Sequence, residues 1–268
     1  MRRSRCAAYV TSLLLAVGSA LTGATAAQAS TQAAATGYVA LGDSYSSGVG
    51  AGSHIGSSGD CDRSTKAFPY LWQAAHAPAS FSFMACSGAR TTDVLTNQLG
   101  PLSTSTGLVS LTVGGNDAGF ADVMTTCVLQ SDSSCLSRIA TAKAYVDSTL
   151  PGRLDSVYSA ISAKAPAAHV VVLGYPRFYK LGTTCLGLSG TKRSAINGAA
   201  DYINAAIAKR AADHGFTFGD VRTTFTGHEI CSGSAWLHSV NWLNIGESYH
   251  PTAAGQSGGY LPVLNGAA

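Results

Sequence analysis

Short apolar runs alternate with stretches of helical periodicity along most of this chain. Residues 38–41, 81–84, 108–113 and 170–173 are rich in Val, Leu, Phe and Tyr, and each stops at Gly, Ala or a polar turn. They predict strands, and the unbroken Val170-Val171-Val172-Leu173 predicts one buried on both faces. Residues 68–76 read as a helix with Pro69 in its first turn. Two more helices are predicted over 138–150 and 154–165, separated by Pro151-Gly152, the second stopping at Pro166. Ile196, Ala199, Ile203, Ile207 and Ala211 recur at helical spacing, with Gly215 as the C-terminal cap. Residues 216–218 read as a last strand. This alternation predicts a three-layer α/β/α architecture around a mostly parallel sheet. No repeat or linker divides residues 35–268, so one domain is expected there.

The N-terminus has a different pattern. Arg2, Arg3 and Arg5 precede an apolar stretch over 10–21, and Ala27-Gln28-Ala29 fits a small-residue cleavage site. Residues 1–34 are therefore expected to be a secretory signal and processed segment, cut between Ala29 and Ala35, and the protein to be secreted. The apolar stretch is too short to span a bilayer. Of the seven cysteines, Cys6 falls in this segment. Cys61, Cys86, Cys127, Cys135, Cys185 and Cys231 remain, an even number in an exported chain, which implies disulfides. Six cysteines allow fifteen pairings, among which proximity favours Cys127 with Cys135. Only 12% of residues are charged and the net charge is +3. No long basic run occurs, so nucleic acid is not an expected partner.

Ligands of open α/β sheets bind beyond the carboxyl ends of the strands. Three predicted strand ends carry chemistry there: Gly42-Asp43-Ser44, Cys86-Ser87-Gly88, and Gly114-Gly115-Asn116-Asp117. Glu247-Ser248-Tyr249-His250-Pro251 lies near the C-terminus. A serine hydroxyl needs a base to become a nucleophile, and His250 is the candidate. An oxyanion needs donors, which the Ser44 N–H, the Gly88 N–H and the Asn116 amide offer. The nucleophile-elbow motif G-x-S-x-G is absent. His228-Glu229 does not begin a zinc motif, because position 232 is serine. The other six histidines read as surface or structural residues. Asp43 reads as a support for the oxyanion loop, and Asp117 as a brace of the Asn116 turn.

These four blocks, in this order and at strand ends, resemble the SGNH (GDSL) hydrolase family. Gly227-His228-Glu229-Ile230-Cys231 followed by Trp236 resembles its secreted actinobacterial lipases and esterases more closely. The resemblance covers residue 37 to the C-terminus. It implies a flavodoxin-like sheet, a serine ester hydrolase without cofactor or metal, and the bridges Cys61–Cys86, Cys127–Cys135 and Cys185–Cys231. The chain departs from the family at Glu247, where aspartate is usual three residues before the histidine. Either Glu247 or the backbone carbonyl of Ser248 orients His250, and the carbonyl is the preferred reading.

The expected activity is hydrolysis of acyl esters such as triacylglycerols through a Ser44 acyl-enzyme, by a monomer with no transmembrane anchor. A phospholipase or a polysaccharide deacetylase on the same site, and an inactive lipid- or glycan-binding module, are the alternatives. Acyl specificity is expected in loops 45–66, 118–136 and 176–190, among Tyr45, Phe120, Val123, Met124, Val128, Leu129, Phe178, Tyr179, Leu181 and Leu186. Such residues also pack cores, and that reading applies to most of them.

Overall fold

The computed structural model describes residues 36–268, so the expected signal segment and its cleavage site lie outside the described residues. Five parallel strands form one sheet in the order β2-β1-β3-β4-β5. This is the flavodoxin-like order, and it puts the switch point between β1 and β3. The strands are β1 (Gly37–Gly42), β2 (Phe81–Phe83), β3 (Thr106–Thr112), β4 (His169–Leu173) and β5 (Thr217–Gly219). In register, Val39 pairs with Val109, Val109 with Val170, and Val171 with Thr217. Every residue of β1 is buried, as expected of a strand covered on both faces.

The helices are α1 (Ser44–Ser47), α2 (Phe68–His76), a single turn α3 (Thr91–Asp93), α4 (Phe120–Leu129), α5 (Asp132–Ser148), α6 (Leu150–Lys164), α7 (Gly190–Asp213) and α8 (Leu261–Ala267). Two sequence expectations change. Residues 118–136 are not a loop: α4 occupies most of them, burying Val123, Met124 and Cys127 on one face. Its Thr125, Thr126 and Val128 are poor helix formers and Gly119 gives it no side-chain cap. Packing on α5 and the Cys127–Cys135 bridge supply what local propensity lacks. The break between α5 and α6 falls at Thr149 rather than at Pro151-Gly152, because proline is tolerated in the first turn of α6.

The three expected disulfides are present: Cys61–Cys86, Cys127–Cys135 and Cys185–Cys231. Among the described residues, no helix is long and apolar enough to cross a membrane.

Candidate active site

Ser44 begins α1, directly after β1. The turn is tight because Gly42, at φ +120, lies against the backbone of Thr112 where a Cβ would collide. Buried Gln98 clamps that strand end: its Oε1 accepts from Gly42 N (2.7 Å) and its Nε2 donates to Gly42 O (2.9 Å). Asp43 caps α1 by accepting from Tyr45 N (3.0 Å). These contacts hold Ser44 in place before any substrate arrives.

His250 comes from the other end of the chain. Its Nε2 stands 2.7 Å from Ser44 Oγ. Tyr249, at φ +66, bends the chain just before it, and the Tyr45 hydroxyl donates to the Tyr249 carbonyl at 2.7 Å. His238 stiffens the same segment. Its N–H donates to His250 O (3.0 Å), its carbonyl accepts from Tyr249 N (3.0 Å), and its Nε2 meets Gly50 O (2.8 Å).

The buried Nδ1 of His250 faces the backbone carbonyls of Ser248, Glu247 and Gly246, with Ser248 foremost. None of the three reaches full hydrogen-bond geometry. The Glu247 carboxylate instead accepts from Asn241 Nδ2 at 3.3 Å and makes no bond to His250. Burial pushes the His250 pKa down to about 4, against the smaller opposing effect of those carbonyls. The ring is thus neutral at neutral pH, the state a general base requires.

The oxyanion candidates gather around the same point. Ser44, Gly88, Asn116 and His250 line one outer cleft. Gly88 sits at φ +74, a conformation that favours glycine, and its N–H bonds to no described residue. The Asn116 amide donates one hydrogen to Ala89 O (3.0 Å), which orients it and leaves the second hydrogen free. The Gly88 loop is tied down by the Cys61–Cys86 bridge, by Cys86 N to Gly42 O (3.0 Å) and by Ser87 N to Cys61 O (3.1 Å). Asp117 reaches further than its own turn: its carboxylate takes Thr91 N (3.0 Å) and Thr91 Oγ1 (2.6 Å), pinning the Gly88 loop to the Asn116 loop.

A buried relay that the sequence did not reveal joins the Ser44 turn to the Asn116 loop. Gly115 N donates to the Tyr175 hydroxyl (3.1 Å), which donates to Asp43 Oδ2 (2.5 Å). Thr112 Oγ1 donates to Asp43 Oδ1 at 2.7 Å. Burial raises the Asp43 carboxyl to about 6, and these donors pull it back towards its ordinary value.

Beneath Ser44 and Asn116 lies a pocket whose other walls are almost all apolar, including Phe120, Val123, Met124, Phe178 and Ile203. Of the expected specificity residues, Tyr45, Phe120, Val123, Met124 and Phe178 line this pocket. Val128 and Leu129 line the outer cleft, whereas Tyr179 is buried with its hydroxyl donating to that of Tyr249 (3.1 Å), and Leu181 and Leu186 are exposed on the surface. Among the described residues, no three His, Cys, Asp or Glu side chains are grouped as metal ligands.

Residues 40–257 match the GDSL-like lipase/acylhydrolase family. The chain belongs to that family. The matched span contains Ser44, Gly88, Asn116 and His250. Lipase 1 of Streptomyces coelicolor is 79% identical over the full length of both chains. Two solved structures are similar throughout. Phospholipase A1 from Streptomyces albidoflavus NA297 is 71% identical, with a TM-score of 0.86 over 88% of this chain and 100% of that one. The extracellular lipase of Streptomyces rimosus is 68% identical, with a TM-score of 0.85 over 87% and 100%.

Proposed function

We propose that this protein is a secreted ester hydrolase that cleaves acyl lipids through an acyl-enzyme on Ser44. The observation that carries the proposal is the 2.7 Å contact between Ser44 Oγ and His250 Nε2 at the mouth of an apolar pocket. His250 Nε2 takes the hydroxyl proton as Ser44 Oγ attacks the ester carbonyl. The oxyanion that develops is held by the N–H groups of Ser44 and Gly88 and by the free Asn116 amide hydrogen. When the tetrahedral intermediate collapses, the proton passes from His250 to the departing alcohol. A water molecule then repeats the sequence on the acyl-enzyme, and the fatty acid leaves.

The pair works as a dyad in which the Ser248 carbonyl orients His250. A neutral acceptor stabilises the imidazolium less than a carboxylate does. Burial sets the low pKa of His250, and the carbonyls offset it only in part. Cleavage of segment 1–34 leaves the catalytic domain, 35–268, which acts as a monomer outside the cell. The disulfides and the lipase-named relatives support this location.

Lipid is favoured over polysaccharide by the rim of the cleft. Trp242 is 70% exposed, Leu243 100% and Ile245 64%, on a segment with no charged residue between 239 and 246. Contiguous exposed apolar side chains beside a site mark an interaction with an apolar surface. A phospholipase reading has its own support in the 71% identical phospholipase A1. Hydrolysis of a triacylglycerol, a phosphatidylcholine and an acetylated xylan by the wild type and Ser44→Ala tests the proposal. The two lipids should be cleaved and the xylan spared, with Ser44→Ala inactive. Preferential deacetylation of xylan would overturn the lipid assignment.

A further inference from the structure

The apolar pocket below Ser44 continues outward between α5 and α7. Ala142 and Val146 of α5 face Ala199 and Ala200 of α7 across it, and small side chains on both helices leave the space open. Where the gap reaches the surface, the lining changes to Lys143 and Tyr202. The Tyr202 hydroxyl donates to Asp147 Oδ1 at 2.7 Å, so the ring is fastened from α7 across to α5. Lys143 Nζ stands 4.9 Å from the centre of that ring. Lys143 and Asp147 are one turn apart on α5 and hold the phenol from neighbouring positions on one face. Beyond them a shallow surface groove begins, walled by Leu136, Ile139 and Ala140, with Lys143 shared between the groove and the pocket.

We propose that Tyr202, strapped to α5 by Asp147 and Lys143, is the end-stop that sets the longest acyl chain the enzyme accepts. The inference rests on the reading above, in which the acyl chain of the substrate lies in this pocket. A chain that stops short of the ring buries all its methylenes. A longer one must bend back into water or displace Tyr202, breaking its bond to Asp147 and its contact with Lys143. Each methylene withdrawn from water is worth about fourfold in binding. Removing the ring would open the outer end of the pocket beside Lys143, the residue it shares with the groove, and admit about two more.

The test is kcat/KM for p-nitrophenyl esters from butyrate to palmitate in one detergent, read as the ratio of the longest to the shortest ester so that any general loss cancels. In Tyr202→Ala this ratio should rise about fifteenfold, the worth of roughly two extra methylenes. Ala199→Leu fills the passage from inside and should lower the ratio. A folded Tyr202→Ala protein with a ratio within twofold of wild type would refute the end-stop while leaving the esterase assignment intact. So would a shift of both variants in the same direction. A wild-type protein that cleaves none of the esters would refute both.

Discussion

Tyr175→Phe removes one oxygen from the middle of the relay that joins the Ser44 turn to the Asn116 loop. Two bonds go with it. The 2.5 Å donation to the Asp43 carboxylate is charge-assisted and buried, a class of bond worth about 1.5–3 kcal/mol. The Gly115 N–H loses its 3.1 Å acceptor. A fully buried orphan donor costs about 1–3 kcal/mol, but Gly115 is only partly buried and water in the pocket offsets part of that. The expected loss of stability at pH 8 is therefore about 2–4 kcal/mol. The loss should also depend on pH. Asp43 has a folded-state pKa of about 6, above its ordinary value of 3.8, so the folded protein holds the extra proton and stability falls as pH rises through that window. Tyr175 is the largest influence opposing that rise, so in Tyr175→Phe the Asp43 pKa climbs further and the fall continues to higher pH. The deficit relative to wild type should be larger at pH 8 than at pH 5. Urea unfolding with the disulfides intact, at both pH values, measures it. A deficit below about 0.5 kcal/mol, or one equal at the two pH values, would refute the relay.

Three further outcomes are expected. Asn116→Ala should lower kcat by about 10²–10³ with little change in KM, as the proposed role of its free amide hydrogen at the developing oxyanion requires; an unchanged kcat would leave Asn116 as a turn residue only. Glu247→Gln should change kcat by only a few fold, because the carboxylate bonds to Asn241 and not to His250. A loss near 10⁴, the scale of an aspartate-to-asparagine change in a serine triad, would restore Glu247 as a third catalytic member. The acid limb of kcat/KM should fall near pH 4, because desolvation of its ring keeps His250 neutral down to that value, whereas a limb near 6.5 would contradict that desolvation.

The parts of this site that were legible in the sequence are those fixed by local order. A short apolar run followed by Gly-Asp-Ser or Gly-Gly-Asn-Asp places a polar residue at a strand end whatever the rest of the chain does. The cysteines and the histidine near the C-terminus carried similar information through number and order. What stayed hidden depends on distance in sequence. Asp43 and Tyr175 are 132 residues apart, and Gln98 meets Gly42 across 56. No local pattern marks either pair, since a buried tyrosine or glutamine reads as core or surface until its partner is placed. His238 read as a structural histidine, which it is, but its structural task is to hold the backbone of His250. Helix α4 was missed because its residues are weak helix formers held by packing and a disulfide, a tertiary effect that periodicity does not record.

The most direct test of the account is covalent labelling of the native protein with a serine-reactive alkyl phosphonate, followed by intact mass and peptide mapping. One adduct per chain should form, on Ser44, with loss of all esterase activity. It should be absent in Ser44→Ala and form far more slowly in His250→Ala, because the hydroxyl is activated only through its 2.7 Å contact with the imidazole. Labelling at another residue, or a folded Ser44→Ala protein that still hydrolyses esters, would contradict the central claim that Ser44 and His250 are the nucleophile and its base.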